Sequence, residues 1–271
     1  MAENYKICSL YSGSKGNCTY ICAGGASILI DAGKSAKCLC ATLSEIGVSP
    51  ESINAIFVTH EHTDHVSALQ TFSHKFNADI HILLSSAKKK FYGLRDEALF
   101  SKMVFHDSPD FEVEIKGLKI KAFPTPHDSC GSVGYRFTVM DGENQTHIGF
   151  ATDIGYVTDE VRDNLLGCES VIIESNHDEI MLMEGSYPYE LKLRIRSKKG
   201  HLSNTECAAL SALLSVNGTK NIMLAHLSEE NNIPEVAYNE NLMAIANPEI
   251  KLTVASPSCP VWLTGEKNGN N

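Results

Sequence analysis

Residues 58–65 read Val58-Thr59-His60-Glu61-His62-Thr63-Asp64-His65 and follow directly on a compact apolar run at 55–58. Histidines and carboxylates packed this closely are costly to bury unless something binds them together. The spacing suits metal ligation. In extended backbone, side chains two positions apart point the same way, so His60 and His62 face one point. Asp64 and His65 fall where the next helix begins; the chain turns there, and their side chains reach a second point nearby. One short loop thus supplies ligands for two neighbouring cations. The plainer alternative is a polar helix cap with solvated histidines, which leaves the HxHxDH spacing unexplained.

A two-metal site needs more ligands than this loop provides, and they must come from later strand ends. Four positions fit: His127 in Pro124-Thr125-Pro126-His127-Asp128, Asp153 in Thr152-Asp153, His201 in Gly200-His201, and His226 in Leu224-Ala225-His226. His127, Asp153 and His226 each follow an expected strand or its short extension. A single histidine in such a place is more often structural; several in a chain already carrying HxHxDH point to ligands.

The rest of the chain has the pattern of a layered α and β protein. Strands are expected at 6–10, 19–22, 27–30, 55–58, 80–83, 112–115, 119–123, 134–140, 145–150, 170–173, 221–224 and 250–254. Helices are expected at 36–46, 66–76, 190–195, 205–214 and 235–244. Strands occur both as hairpins and separated by helices, which predicts two sheets carrying outer helices. Of 271 residues, 43% are apolar and 21% charged, a composition that excludes a disordered or fibrous chain. No repeat or linker divides it, so one domain over 1–271 is expected, with its core at about 6–254 and a frayed polar tail at 265–271. The longest apolar stretches, such as 208–216, fall short of the roughly 18 residues that cross a bilayer. Residues 1–6 lack the order of a signal peptide. With nine cysteines, an odd number, free thiols in a reducing compartment are the default. The expectation is a soluble, cytoplasmic protein without a membrane partner.

The order Asp31, His60-x-His62-x-Asp64-His65, His127, Asp153, His226 resembles the motifs of the metallo-β-lactamase superfamily. Local phrases resemble its YycJ/WalJ branch of exonucleases: Ser12-Gly13-Ser14-Lys15-Gly16-Asn17, Thr152-Asp153-Ile154-Gly155-Tyr156, Glu174-Ser175-Asn176-His177-Asp178, Gly200-His201-Leu202-Ser203-Asn204 and His226-Leu227-Ser228-Glu229-Glu230-Asn231-Asn232. Lys15 departs from the small residue common there, and Val66 from the glycine of ribonuclease Z-like relatives. The resemblance implies an α/β (α+β) fold, an αββα sandwich of two mixed β-sheets flanked by helices. It implies one metal on His60, His62 and His127, a second on Asp64, His65 and His226, and Asp153 bridging. Asp31 becomes a carboxylate that fixes a ligand histidine by hydrogen bonding. The ions are expected to be two divalent cations, Zn²⁺ or Mn²⁺.

The implied reaction is phosphodiester hydrolysis, most simply by a 5′→3′ DNA exonuclease of a repair kind. Paired cations lower the pKa of a water and hold the attacking and leaving oxygens, with Asp64 catalytic as well as ligating. The resemblance assigns His201 as general acid and Glu174 as the group orienting its imidazole. His177 and Asp178 either line the cleft or begin the next helix. Residues 192–199 carry five basic residues and no acid. In a chain of formal charge −10, Arg194, Arg196, Lys198 and Lys199 are the candidate phosphate track. The Gly-rich turn at 12–17 could present backbone N–H groups to a phosphate, or simply be a tight hairpin. The partner is therefore nucleic acid, DNA ahead of RNA. An RNA-processing nuclease, a glyoxalase II-like thioester hydrolase and a non-catalytic metal-binding regulatory module are the alternatives. The thioester hydrolase would need neither the basic run nor the Glu174/His201 pair.

Overall fold

The structure, a computed structural model, describes residues 5–265. The expected fraying of 265–271 therefore lies, beyond Gly265, outside the described residues. Among the described residues, fourteen strands form two sheets of seven. The first holds β1 (Tyr5–Tyr11), β2 (Cys18–Ala23), β3 (Ala26–Ile30), β4 (Ala55–Phe57), β5 (Asp79–Leu83) and β6 (Met103–His106), with the last strand, β14 (Val261–Thr264), added beside β1. The second runs β7 (Glu112–Ile115), β8 (Leu118–Pro124), β9 (Val133–Asp141), β10 (Asn144–Ala151), β11 (Ser170–Glu174), β12 (Asn221–Ala225) and β13 (Lys251–Val254) in order. Each sheet is mixed. Its hairpin-connected strands pair antiparallel and its helix-connected strands pair parallel.

Ten α-helices accompany them among the described residues: α1 (Ala36–Glu45), α2 (Thr63–Val66), α3 (Leu69–Ser73), α4 (Leu84–Phe91), α5 (Glu97–Phe100), α6 (Asp159–Leu165), α7 (Glu179–Glu184), α8 (Tyr189–Ile195), α9 (Asn204–Ser215) and α10 (Pro234–Ala244). The layers are defined by three apolar clusters. Ile7, Ile21 and Phe57 of one sheet meet Ile120, Phe137 and Ile172 of the other in the central one. Leu39, Leu43, Leu69 and Phe72 of α1 and α3 cover the outer face of the first sheet. Val161, Leu165, Leu210, Leu214 and Ala237 of α6, α9 and α10 cover that of the second. This is the expected αββα sandwich. Burying these faces is the main favourable term in assembling the layers. No helix among the described residues is long and apolar enough to cross a membrane, and all nine cysteines are free.

The single helix expected at 66–76 is instead two short ones, α2 and α3. The break has a cause. The amide of Ala68 donates to Ala32 O at 2.9 Å, while Asp64 O, its would-be helical acceptor, takes the amide of Asn17 at 2.8 Å. The stretch after β3 is wedged against the HxHxDH loop, and Ala32 N reaches His65 O at 2.7 Å. Only glycine fits this approach: a Cβ on Gly33 would overlap the Asp64 carbonyl oxygen. Strands β6 and β14 and helices α4, α5 and α6 were not expected. Each is short, and α4 and β6 bury few residues, so hydrophobic periodicity barely marks them.

Candidate metal centre and cleft

The proposed site residues leave the carboxyl ends of strands: Asp31 after β3, His60 past β4, His127 past β8, Asp153 past β10, Glu174 ending β11 and His226 after β12. Asp31, Asp153 and His226 have φ of 62°, 55° and 55°. This left-handed conformation costs a non-glycine residue about 1–3 kcal/mol and persists only where the surroundings impose it. It turns the backbone sharply at the strand end, where these three residues enter the cluster.

The ligand atoms converge. His60, His62 and His127 form one group, and Asp64, His65 and His226 another, each with ligand atoms within 4.8 Å of one another. His60, His65 and Asp153 form a third such group between them. Four imidazoles are held through Nδ1. His60 Nδ1 lies 3.0 Å from Thr59 Oγ1, His65 Nδ1 2.8 Å from Asp31 Oδ2, His127 Nδ1 3.2 Å from Gly200 O and His226 Nδ1 2.7 Å from Glu174 Oε1. Asp31 is itself fixed, accepting from the Thr59 amide and hydroxyl at 2.8 and 2.9 Å.

Of the Nε2 atoms of these four imidazoles, only that of His65 has a hydrogen-bond partner outside the cluster among the described residues, the Asn17 amide at 3.1 Å. His60 Nε2, His226 Nε2 and Asp153 Oδ2 are buried without any hydrogen-bond partner, and His127 Nε2 faces His62 Nδ1 at 3.4 Å. Orphaned buried acceptors carry a desolvation penalty of about 1–3 kcal/mol each. A soft-to-borderline divalent cation satisfies such a nitrogen- and carboxylate-rich set. The residues present therefore fit a metal centre.

Without an ion, the charges of the cluster divide its histidines. Burial and the surrounding imidazoles push His60 well below the usual histidine range, which favours the neutral, ligating form. Burial would do the same to His65, but Asp31 and Asp153 outweigh it and hold that imidazole up. Burial also opposes protonation of His226, yet Asp153 and Glu174 raise it to about 9. Asp153 and Glu174 are themselves held below the usual carboxylate range, because the neighbouring histidines outweigh their desolvation.

Glu174 is fully buried, not a surface carboxylate. Its Oε1 also lies 2.8 Å from His201 Nδ1, and its Oε2 accepts from the amides of Ile154 and Leu202 at 2.8 and 3.1 Å. His201 lines an open cleft of about 180 Å³ together with Asp128, Arg194, His226, Ser14 and Ser228. A much larger concavity of about 700 Å³ lies over β7–β9 and α6 and contains none of the ligand residues. We place the chemistry in the smaller cleft, where the convergent titratable groups are.

The basic run divides. Lys192 is buried and donates to Met183 O and Gly185 O, so it serves the fold. Arg194 pairs with Asp128 at 2.5 Å on the cleft rim. Arg196 contacts Met183 Sδ at 3.5 Å, Lys198 lies 5.5 Å from the Tyr156 ring centroid, and both are exposed, as is Lys199. Asp178 caps α7 by accepting from the Met181 amide. His177 is buried beside it with an unpartnered Nδ1. Three further residues serve the site and were given no role from sequence. Glu61 accepts from Cys130 N and Ser86 Oγ. The Asn17 amide group lies 3.2 Å from Asp64 and 3.1 Å from His65. Asn176 donates to His226 O. Only their positions inside or beside the quoted motifs marked them.

Fold and site together define a metallohydrolase-type frame, and the chain belongs to the metallo-β-lactamase superfamily: the sequence model described as beta-lactamase superfamily domain matches residues 26–227. Within that superfamily it is 33% identical over 254 residues to exodeoxyribonuclease WalJ of Streptococcus pneumoniae, covering 92% of this chain and 91% of that one. It is 32% identical over 234 residues to exodeoxyribonuclease YycJ of Bacillus anthracis, covering 84% of each. Among solved structures it superposes on the metallo-β-lactamase fold protein YhfI of Bacillus subtilis with a TM-score of 0.69, at 15% identity and over 95% and 99% of the two chains. The short form of human tRNase Z gives 0.62 at 16% identity, over 95% and 99%. At these identities the likeness is one of fold.

Proposed function

We propose that this chain is a metal-dependent exonuclease that hydrolyses DNA from the 5′ end. The nuclease reading is carried by the Glu174–His201 pair, which stands on the cleft beside the ligand cluster. The preference for DNA is supported by the relatives named exodeoxyribonucleases. His60, His62 and His127 would hold one divalent ion, and Asp64, His65 and His226 a second, with Asp153 between them; Zn²⁺ and Mn²⁺ both suit the donors. When bound, such a pair supplies a water of lowered pKa and positive charge against the phosphodiester oxygens.

The protein's own groups do the rest. Asp64, whose side chain is 26% exposed against 3% for Asp153, is the carboxylate positioned to take a proton from the attacking water. His201 donates a proton to the leaving oxygen from Nε2, while Glu174 holds Nδ1. Arg194 on the rim meets the substrate's phosphates. Repair of DNA is the process such an activity would serve.

The test is a digest of end-labelled DNA and RNA by metal-stripped protein, with Mn²⁺ or Zn²⁺ restored. Shortening of DNA from the 5′ end only after metal addition is expected, with two ions per chain by elemental analysis. Preferential RNA cleavage would transfer the assignment to an RNA-processing nuclease. Thioester hydrolysis without nucleic-acid cleavage would transfer it to the glyoxalase II kind. Metal bound without any hydrolysis would leave a regulatory module.

A further inference from the structure

Two stretches of this acidic chain carry at least four basic residues in eight with no acid: 192–199 and 88–95. The second, Lys88-Lys89-Lys90-Phe91-Tyr92-Gly93-Leu94-Arg95, ends α4 and the turn after it. It is docked on the metal-ligand loop. Lys90 Nζ donates to Thr63 Oγ1 at 2.7 Å, between His62 and Asp64, and Ser86 Oγ donates to Glu61 at 3.0 Å. Phe91 is buried and anchors the turn.

What faces outward differs from an ordinary mixed surface. Lys88, Lys89 and Arg95 are exposed and form no ion pair with any described residue. The nearest acid in sequence, Asp96, is turned inward onto His74, Gln70 and the Leu99 amide. Tyr92 is 92% exposed, the most exposed of the large hydrophobic side chains among the described residues, and it stands within the basic stretch. Gly93 follows at φ 77° with open space around it.

We infer that α4 and residues 92–95 bind an unpaired stretch of the polynucleotide substrate, with Lys88, Lys89 and Arg95 on phosphates and Tyr92 stacked on a base. This rests on the nuclease reading above and names where that substrate lies beyond the cleft. Cations with an interleaved aromatic are what a single strand requires, because every base offers a π-face and every link a phosphate. Two residues of chain span at most about 7 Å, so the backbone of Tyr92 stands within that reach of the backbone of Lys90, whose side chain extends to the ligand loop at Thr63. The bases there must be unpaired to stack, which favours single strands or frayed ends.

The experiment compares metal-loaded parent protein with Lys88→Gln/Lys89→Gln, Tyr92→Ala and Tyr92→Phe. Each is assayed on a dinucleotide and on single-stranded DNA longer than roughly 16 nucleotides, the upper site size for such surfaces. Tyr92→Ala should raise KM for the long strand about tenfold, Tyr92→Phe should not, and the dinucleotide KM should stay put. The double lysine variant should flatten the salt dependence of long-strand KM by about 1.4 in log–log slope, two phosphate contacts at about 0.7 each. Unchanged long-strand KM and salt slope in these variants overturn the inference while leaving the nuclease reading intact. A parent enzyme that cleaves neither substrate overturns the nuclease reading and this inference with it.

Discussion

Oε1 of Glu174 lies 2.7 Å from Nδ1 of His226, a proposed ligand, and that same oxygen takes Nδ1 of His201 at 2.8 Å. One buried carboxylate thus orients both a proposed metal ligand and the proposed acid. From sequence, Glu174 was expected to serve His201 alone. We therefore expect Glu174→Gln to do two things: slow cleavage and weaken retention of the second ion, by about 10–100-fold for a lost outer partner. Competition with a chelator reads the second effect. A variant that cleaves slowly but holds both ions like the parent would show that the His226 contact is dispensable.

His201→Ala should behave differently. Its ring is not among the proposed ligands of either triad, so both ions should remain while cleavage slows by roughly 10²–10⁴-fold. A substrate with a better leaving group should recover much of that loss. Loss of an ion, seen by elemental analysis, would make His201 a ligand and reopen the assignment of His226.

Asp31 is predicted to act through His65. Asp31→Asn keeps the shape but removes the charge that holds Nδ1–H, and its amide can present a donor where an acceptor is needed. Affinity for the second ion should fall about 10–100-fold, with KM for substrate unchanged once metal is saturating. If metal titration matches the parent, the 2.8 Å contact does not tune the site.

The acid–base balance of the metal-free protein gives a pH test. His226 is raised to about 9 from a usual 6.5 by Asp153 and Glu174. A raised folded-state pKa stabilises most below the unfolded value and loses that contribution as pH rises through the folded one. The chelated protein should therefore lose thermal stability between about pH 6.5 and 9, and the metal-loaded protein much less. Metal binding at pH 7 should also release protons, since ligands must be deprotonated. Calorimetry in buffers of different ionisation enthalpy measures that release, and a value of zero would contradict the protonated state of His226.

The basic residues beside the cleft are predicted to be unequal. Neutralising Arg196, Lys198 and Lys199 should flatten the salt dependence of DNA binding. Arg194→Gln should additionally free Asp128, whose carboxylate would then stand unpaired on the rim and repel phosphate. Binding curves across salt concentrations separate the two, and parallel slopes would place the track elsewhere.

Much of this was legible because strand-end chemistry leaves a local mark. HxHxDH, His127, Asp153 and His226 each sit just after an apolar run, and the structure gathers them at one edge of the sandwich. The mark fades where a residue acts through space. Nothing local shows that Glu174 is buried or that it reaches His226, fifty-two positions away. The left-handed turns at Asp31, Asp153 and His226 are likewise invisible, since these residue types occur far more often in other conformations. The broken helix at 63–73 needed knowledge of Ala32 and Asn17, which compete for its backbone partners. Helix α4 escaped notice because it is only eight residues long and its buried face consists of Ser86, Ala87 and Phe91.

The wedge of Gly33 against Asp64 bears on the order of assembly. Bonds from Asn17, Ala32 and Asp31 set the HxHxDH loop, and all three residues belong to or follow strands of the first sheet. The loop conformation that points Asp64 and His65 together thus depends on partners supplied by that sheet. The loop is therefore predicted not to be a self-sufficient binding peptide, and an ion is predicted to load the folded frame instead of nucleating it. An excised fragment spanning 58–65 should bind divalent cations no better than a scrambled one, whereas the metal-stripped whole chain should keep its circular dichroism and reload.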